Sequence, residues 1–310
     1  MKRFTRPQHL FFLAGSIILA LVLSSCGEIS RVTWDKEAVP QINKVAVVLF
    51  TVPEAIELKD DPREQKKSKG GAMEMLKSAA ASMANTGNGV DAATLGQKSF
   101  IKFLNAGELS FKAISQDEMM SNGSFTTLAR KHYDELTALK AKRAEEKEKK
   151  QGTAGKVLGF MSSFSGGSSD TEVFGAGPKG LPSFGLAGNW SGAESALMGV
   201  PQENEYIKGA IAALGVDAAL VINDPGMSWG CENCIASTGT ASTQSSFLVT
   251  MVDKNGKSIL EMRQWFIIGG GNAAMVSGVI NPLQHDTLFD GHGEKMARVF
   301  VDFYKEKGGK

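Results

Sequence analysis

A charge of one sign is missing from this sequence. Against 34 Lys and Arg stand 33 Asp and Glu, a formal net charge of +1 over 310 residues. No overall field therefore draws the chain to a polyanion, and a nucleic-acid reader is excluded as the leading class. Cysteine is scarce, with three residues at 26, 231 and 234. That is too few for a disulfide framework, and zinc would need two more ligands where no second Cys pair exists. The amino-terminal apolar stretch Leu10 to Leu23 is too short to read as a permanent transmembrane helix, which needs about 20 residues. What is present is bulk: 42% hydrophobic residues and 35 Gly, enough for one large or two small domains with a real core.

The first 25 residues read as an address. Lys2, Arg3 and Arg6 precede the apolar stretch, which ends in Leu23-Ser24-Ser25-Cys26. A basic start, a short apolar middle and small residues before the cut make a secretory signal peptide. Residues 23 to 26 resemble a bacterial lipobox, in which the Cys26 thiol receives a diacylglycerol before cleavage. The expectation is a chain anchored to a bilayer by lipid rather than spanning it. Gly27 stands where the resemblance to enterobacterial lipoproteins would want Asp for inner-membrane retention, which points to the outer membrane, facing the periplasm. Removing residues 1–25 takes three positive charges and leaves a side-chain charge of −2.

Downstream, Lys44 to Phe50 is a continuous apolar, β-rich run, the pattern of a strand buried on both faces. Residues 53 to 89 read as an insertion with one short helix carrying Met75, Leu76, Ala79, Ala80 and Met83 on one face. Asp91 can cap a helix to Leu104, with Val90, Ala93, Gln97, Phe100 and Leu104 at helical spacing. Leu109 to Ile114 alternates as a strand, and Ser115-Gln-Asp-Glu118 has the form of a capping box. A polar helix from Thr126 enters the charged run Leu139 to Lys150, read as a solvated face. Residues 151 to 200 are Gly-rich and read as a second, flexible insertion.

Order returns at Glu205. Tyr206, Ala210, Ile211 and Leu214 form a helix face, Gly215 stops it, and Val216 to Ile222 is a buried strand. Thr243 to Asp253 and Ser258 to Ile268 form a hairpin whose Asn255-Gly256 pair supplies positive-φ residues. A last helix, Glu294 to Lys305, presents Met296, Val299, Phe300 and Phe303 inward. The expected fold class is α/β, a single mixed-sheet domain of order β-α-β-α-α-β-β-β-α with helices packed on the sheet. Its expected segments are the signal at 1–25, a tether at 26–43 and the domain at 44–310.

Three phrases resemble one group of envelope proteins: the strand Lys44 to Phe50, the helix-to-strand phrase Ala212 to Ile222, and the hairpin Phe247 to Leu260. The group comprises the curli-secretion lipoprotein, the lipoprotein activators of penicillin-binding proteins and the amino-terminal domain of the Tol-Pal propeller protein. The resemblance implies a small α/β domain with helices on a mixed sheet, serving as an adaptor or a pore subunit, with an envelope protein as partner. The two insertions depart from the group. An alternating pair of amphipathic hairpin strands, which a curli-type pore needs, is not evident.

Candidate chemistry is sparse. Gly226-Met227-Ser228-Trp229-Gly230 matches Gly-x-Ser-x-Gly after a strand, and Asp253 and His292 complete a Ser…Asp…His order. No helix follows to hold the serine, so a Gly-rich turn accounts for the same residues and a serine hydrolase is an alternative only. Cys231 and Cys234 are the thiols left once Cys26 is lipidated, and in an oxidising envelope they most simply close a disulfide. His285, Asp286, Asp290, His292 and Glu294 are ligand types within ten residues, though Asp290 before the last helix also reads as a cap. Gly269-Gly270-Gly271 could form an anion nest. The reading is a non-catalytic lipoprotein with no cofactor and no metal site, whose partners are the bilayer and an envelope protein.

Overall fold

The computed structural model describes residues 29–58, 87–150, 175–183, 201–235 and 238–308. The chain is a mixed α/β fold, with five helices and one large sheet among the described residues, and that sheet does not close into a barrel. In order its elements are β1 (Ile29–Trp34), β2 (Lys44–Thr51), β3 (Ala55–Ile56), β4 (Gly87–Asn88), α1 (Gly89–Ala106), β5 (Lys112–Ala113), α2 (Gln116–Ser121), α3 (Gly123–Lys150) and α4 (Pro201–Leu214). There follow β6 (Ala218–Asn223), β7 (Ser228–Ile235), β8 (Thr238–Asp253), β9 (Ser258–Val276), β10 (Val279–Ile280) and α5 (His285–Glu306).

The sheet runs β1-β9-β8-β6-β2-β5, with β7 beside β8 and β10 beside β9. β2 is parallel to β5 and β6, and the remaining pairs are antiparallel. Every β2 residue after Lys44 is buried, which requires cover on both faces. Phe50 meets Phe100 of α1 at 6.4 Å, and Tyr206 of α4 donates its hydroxyl to the Val48 carbonyl at 3.3 Å. Each fully buried aromatic of this kind contributes about 1.5–3 kcal/mol over its exposed state.

Local chemistry explains the element ends. Asn88 caps α1 by accepting from the Val90 N–H at 2.9 Å, so the cap stands three residues before the expected Asp91. Val90 is consequently exposed, whereas Ala93, Gln97, Phe100 and Leu104 face inward as their spacing predicts. Ser115 accepts from the Glu118 N–H at 3.1 Å and opens α2. Asn122 then breaks the helical run and caps α3, accepting from the Phe125 N–H at 2.9 Å. At the β8–β9 turn only Gly256 has positive φ; Asn255 does not share that role. The Asp253 carboxylate accepts from the N–H groups of Asn255 and Lys257 instead.

Several expectations are corrected. The tether expected over 26–43 is folded from Ile29 onward: β1 lies on the free edge of β9, and its Trp34 packs 5.1 Å from Tyr304 of α5. The expected strand Leu109 to Ile114 forms a ladder only over Lys112 and Ala113. Within the Gly-rich stretch 151–200, residues 175–183 pack on the domain. Ala176 exchanges backbone hydrogen bonds with Val52, and Leu181 is 1% exposed. Within the insertion at 53–89, β3 pairs with β4; the helix expected around Met75 to Met83 lies outside the described residues. The last helix begins at His285 rather than Glu294, so Asp290 sits inside it and caps nothing.

Candidate functional site

Three residues distant in sequence converge where β6 ends, β8 passes and α5 begins. His292 Nε2 lies 2.8 Å from Asp224 Oδ2, and His292 Nδ1 lies 2.8 Å from Thr243 Oγ1. Asp224 and Thr243 are 0% exposed and His292 is 1% exposed. Burial pushes the Asp224 carboxyl up, and the facing imidazole opposes that shift. The Ser245 hydroxyl and the Gly226 N–H lean toward the carboxylate and also hold the shift down. Neither closes a hydrogen bond of ordinary geometry with Oδ1, and the Ser245 and Ser228 hydroxyl oxygens have no partner.

The backbone makes room for this chain of hydrogen bonds. A methyl group on Gly269 would overlap the Thr243 hydroxyl, and one on Gly291 would overlap the Gly271 backbone. The glycines at 269, 270 and 271 therefore serve as a strand surface against which α5 lies close. None of the three has positive φ, and a nest requires the alternating left- and right-handed conformations that this strand lacks.

Connectivity alone gives Asp224, His292 and Thr243 the order of an acid, a base and a hydroxyl nucleophile. A nucleophile must also meet a substrate, and the Thr243 hydroxyl is sealed. What the arrangement does is clamp three elements: α5 through His292, β8 through Thr243 and the end of β6 through Asp224.

The Ser…Asp…His set expected at Ser228, Asp253 and His292 is not assembled. Asp253 ties the β8–β9 turn, His292 is bonded to Asp224 and Thr243, and the Ser228 hydroxyl has no partner. The segment is neither an elbow nor a Gly-rich turn from Ser228 onward; it is the strand β7, which carries Trp229 into the core. That indole stacks on Phe289 at 5.2 Å and meets the His285 ring at a tilt, 5.0 Å away. Its backbone N–H donates to the Glu57 carbonyl at 2.8 Å. Burial lowers the His285 imidazole below its ordinary value.

The expected ligand cluster is dispersed around α5. His285 lies on Trp229, Asp286 and Asp290 are exposed, His292 is buried and Glu294 pairs with Arg298 at 2.7 Å. No group of three metal-ligating side chains occurs among the described residues. Cys231 and Cys234 are joined sulfur to sulfur, with Cα atoms 6.0 Å apart, where β7 bulges against β8 between Glu232 and Ile235. Cys26 lies outside the described residues.

Asp224 and Thr243 escaped sequence reasoning because nothing local marks them. Asp224 precedes Pro225 and reads as a turn residue, and Thr243 sits in a Ser/Thr-rich run. Gly269 could have been found as a small residue inside a strand pattern, a sign of close backbone approach. The chain matches no protein-family model and no curated protein.

Proposed function

We propose that the protein is a lipid-anchored bacterial envelope lipoprotein whose α/β domain acts as a non-catalytic adaptor or activator of a cell-wall or secretion complex. The observation that carries this reading is the phrase Leu23-Ser24-Ser25-Cys26 behind a basic, apolar leader, three residues ahead of the first strand. Lipid on Cys26 would then hold a folded domain on a very short leash. The sealed state of the Asp224–His292–Thr243 chain and the unengaged Ser228 hydroxyl favour binding over hydrolysis.

The test is processing and partitioning. Cys26→Ala leaves the precursor uncut or releases the mature chain from membranes; unchanged processing and partitioning remove the anchor. Native mass of the detergent-extracted, mildly crosslinked protein then separates the classes. A monomer or dimer with a stoichiometric partner chain supports the adaptor.

An oligomeric export-channel subunit resembling the curli pore is the second reading. The long β8–β9 pair, 16 and 19 residues, favours it. A large closed homo-oligomer in the same experiment would promote that reading. A serine hydrolase using Ser228 requires labelling by a fluorophosphonate probe that Ser228→Ala abolishes.

A further inference from the structure

The free edge of β9 carries two short strands in succession. β1 pairs there with residues around Gln264, Ile29 standing opposite that glutamine. Further along the same edge, β10 pairs with Met275 and Val276. Because β1 is antiparallel to β9, its first residue, Ile29, is the β1 residue nearest to β10 along this edge. Three residues span at most about 10 Å, so lipid on Cys26 would tether the domain within that reach of Ile29.

The far end of the edge is apolar and open. Ile235, Val276 and Leu283 are 82%, 62% and 90% exposed. Register gathers them: Ile235 stands opposite Thr238, Gly239 opposite Met275, and Val276 opposite Val279. Thr238 Oγ1 accepts from the Ser277 N–H at 3.1 Å, and Leu283 follows β10 in a 3-10 turn. The 21 residues from Gln264 to Gln284 contain no charged side chain in a chain that is 22% charged. An uncharged edge with aliphatic tips costs little to dehydrate, and it offers no cation to an anionic headgroup.

We propose that this edge is a second membrane contact: Ile235, Val276 and Leu283 enter the interfacial region of the bilayer that holds the Cys26 lipid, so the domain lies against the membrane in one orientation. The proposal rests on the lipid-anchor reading. The two acyl chains of a diacylglycerol already hold the chain on the bilayer, and what a second contact adds is a fixed orientation of the domain.

The experiment uses the full-length, envelope-processed protein reconstituted on phosphatidylcholine vesicles, with a nitroxide on Leu283→Cys or, as the opposite-end control, on Lys254→Cys. The label at 283 is expected to be accessible to oxygen and shielded from a water-soluble nickel chelate, and the label at 254 the reverse. Anionic lipid and 0.5 M salt, where the screening length is roughly a seventh of that at about 0.01 M, leave both unchanged. In an unlipidated Cys26→Ala chain from which the leader 1–25 has been removed, Ile235→Ser, Val276→Ser and Leu283→Ser together lower residual vesicle partitioning by on the order of 100-fold.

An amino-terminal peptide without acyl mass removes the anchor and this proposal with it. An acylated, vesicle-bound chain whose label at 283 stays open to the chelate overturns the proposal alone. So does a label shielded equally from oxygen and chelate in a crosslinkable dimer, which would give the edge to a second copy of the chain.

Discussion

His292 of α5 and Asp224 at the end of β6 meet at 2.8 Å with neither side chain reaching solvent, and Thr243 occupies the other ring nitrogen. Replacing Thr243 by Val keeps the shape and removes the hydroxyl, leaving Nδ1 buried without a partner. The expected cost is about 1–3 kcal/mol, read as a lower urea midpoint with an unchanged slope. A variant as stable as the parent would show that the imidazole does not depend on this bond.

The same pair makes stability depend on pH. Burial raises the Asp224 carboxyl above its ordinary value of 3.8, so the folded chain holds a proton that the unfolded chain has released. The group's contribution is full below the unfolded value and is lost as pH climbs through the raised one. Asp224→Asn has no such titration. Its stability deficit relative to the parent should therefore shrink as pH rises above 3.8, and a deficit that grows with pH would contradict the assignment.

Gly293 of α5 packs on Gly96 of α1 so closely that a methyl group at 293 would overlap the Gly96 carbonyl oxygen. Backbone cannot swing aside as a flexible side chain can. Gly293→Ala is expected to destabilise by about 1–3 kcal/mol through overpacking. Gly123 at the start of α3 has open space around its Cβ position, and Gly123→Ala is expected to stabilise by about 0.4–1 kcal/mol. Thermal melts of the two variants should move in opposite directions.

On the surface, Lys257 Nζ sits 2.6 Å from Asp35 Oδ2. With the N–H groups of Ala38 and Glu37 it holds that carboxyl at about 2. An acid lowered in this way adds stability above 3.8 that is lost as pH falls through about 2. Because the pair is open to solvent, the effect belongs in a titration and not in a melting curve. Lys257→Met should raise the Asp35 value toward 3.8 without reaching it, since the two N–H donors remain; carboxyl carbon shifts against pH would measure this.

For Cys231 and Cys234, three residues apart, the loop closed by a bond is small. Chain-entropy reasoning assigns such a bond about 2 kcal/mol. Alkylation of the mature chain should add nothing before reduction and two groups after it. Two reactive thiols in the unreduced, envelope-extracted protein would refute the pairing in the cell.

Local chemistry was legible wherever one short phrase carries its own cause. The Ser115 half of the expected capping box, the stop at Gly215 with φ +61° and the inward face of Met296, Phe300 and Phe303 needed no distant partner, whereas the Glu118 carboxylate turns to Lys44. The strand β7 was not legible, because Gly226, Gly230 and the two cysteines look like loop chemistry; Trp229, buried at its start, is what holds it in the sheet. Edge strands were equally hidden. β1 has no apolar alternation strong enough to read alone, and it is a strand because β9 offers it an unpaired edge.

By itself the sequence determined a mixed α/β core, the carboxy-terminal ends of α1, α4 and α5 to within two residues and the β8–β9 turn, since propensity, capping and hydrophobic period act within a few residues. Tertiary structure alone decided that His292 meets Asp224 and Thr243, which lie 68 and 49 residues away. It also decided that three glycines of β9 make room for α5 and that β1 and β10 share one edge. Those outcomes depend on which backbones can approach one another and which buried polar groups must then find partners, and that selection exists only once the whole chain has closed around its core.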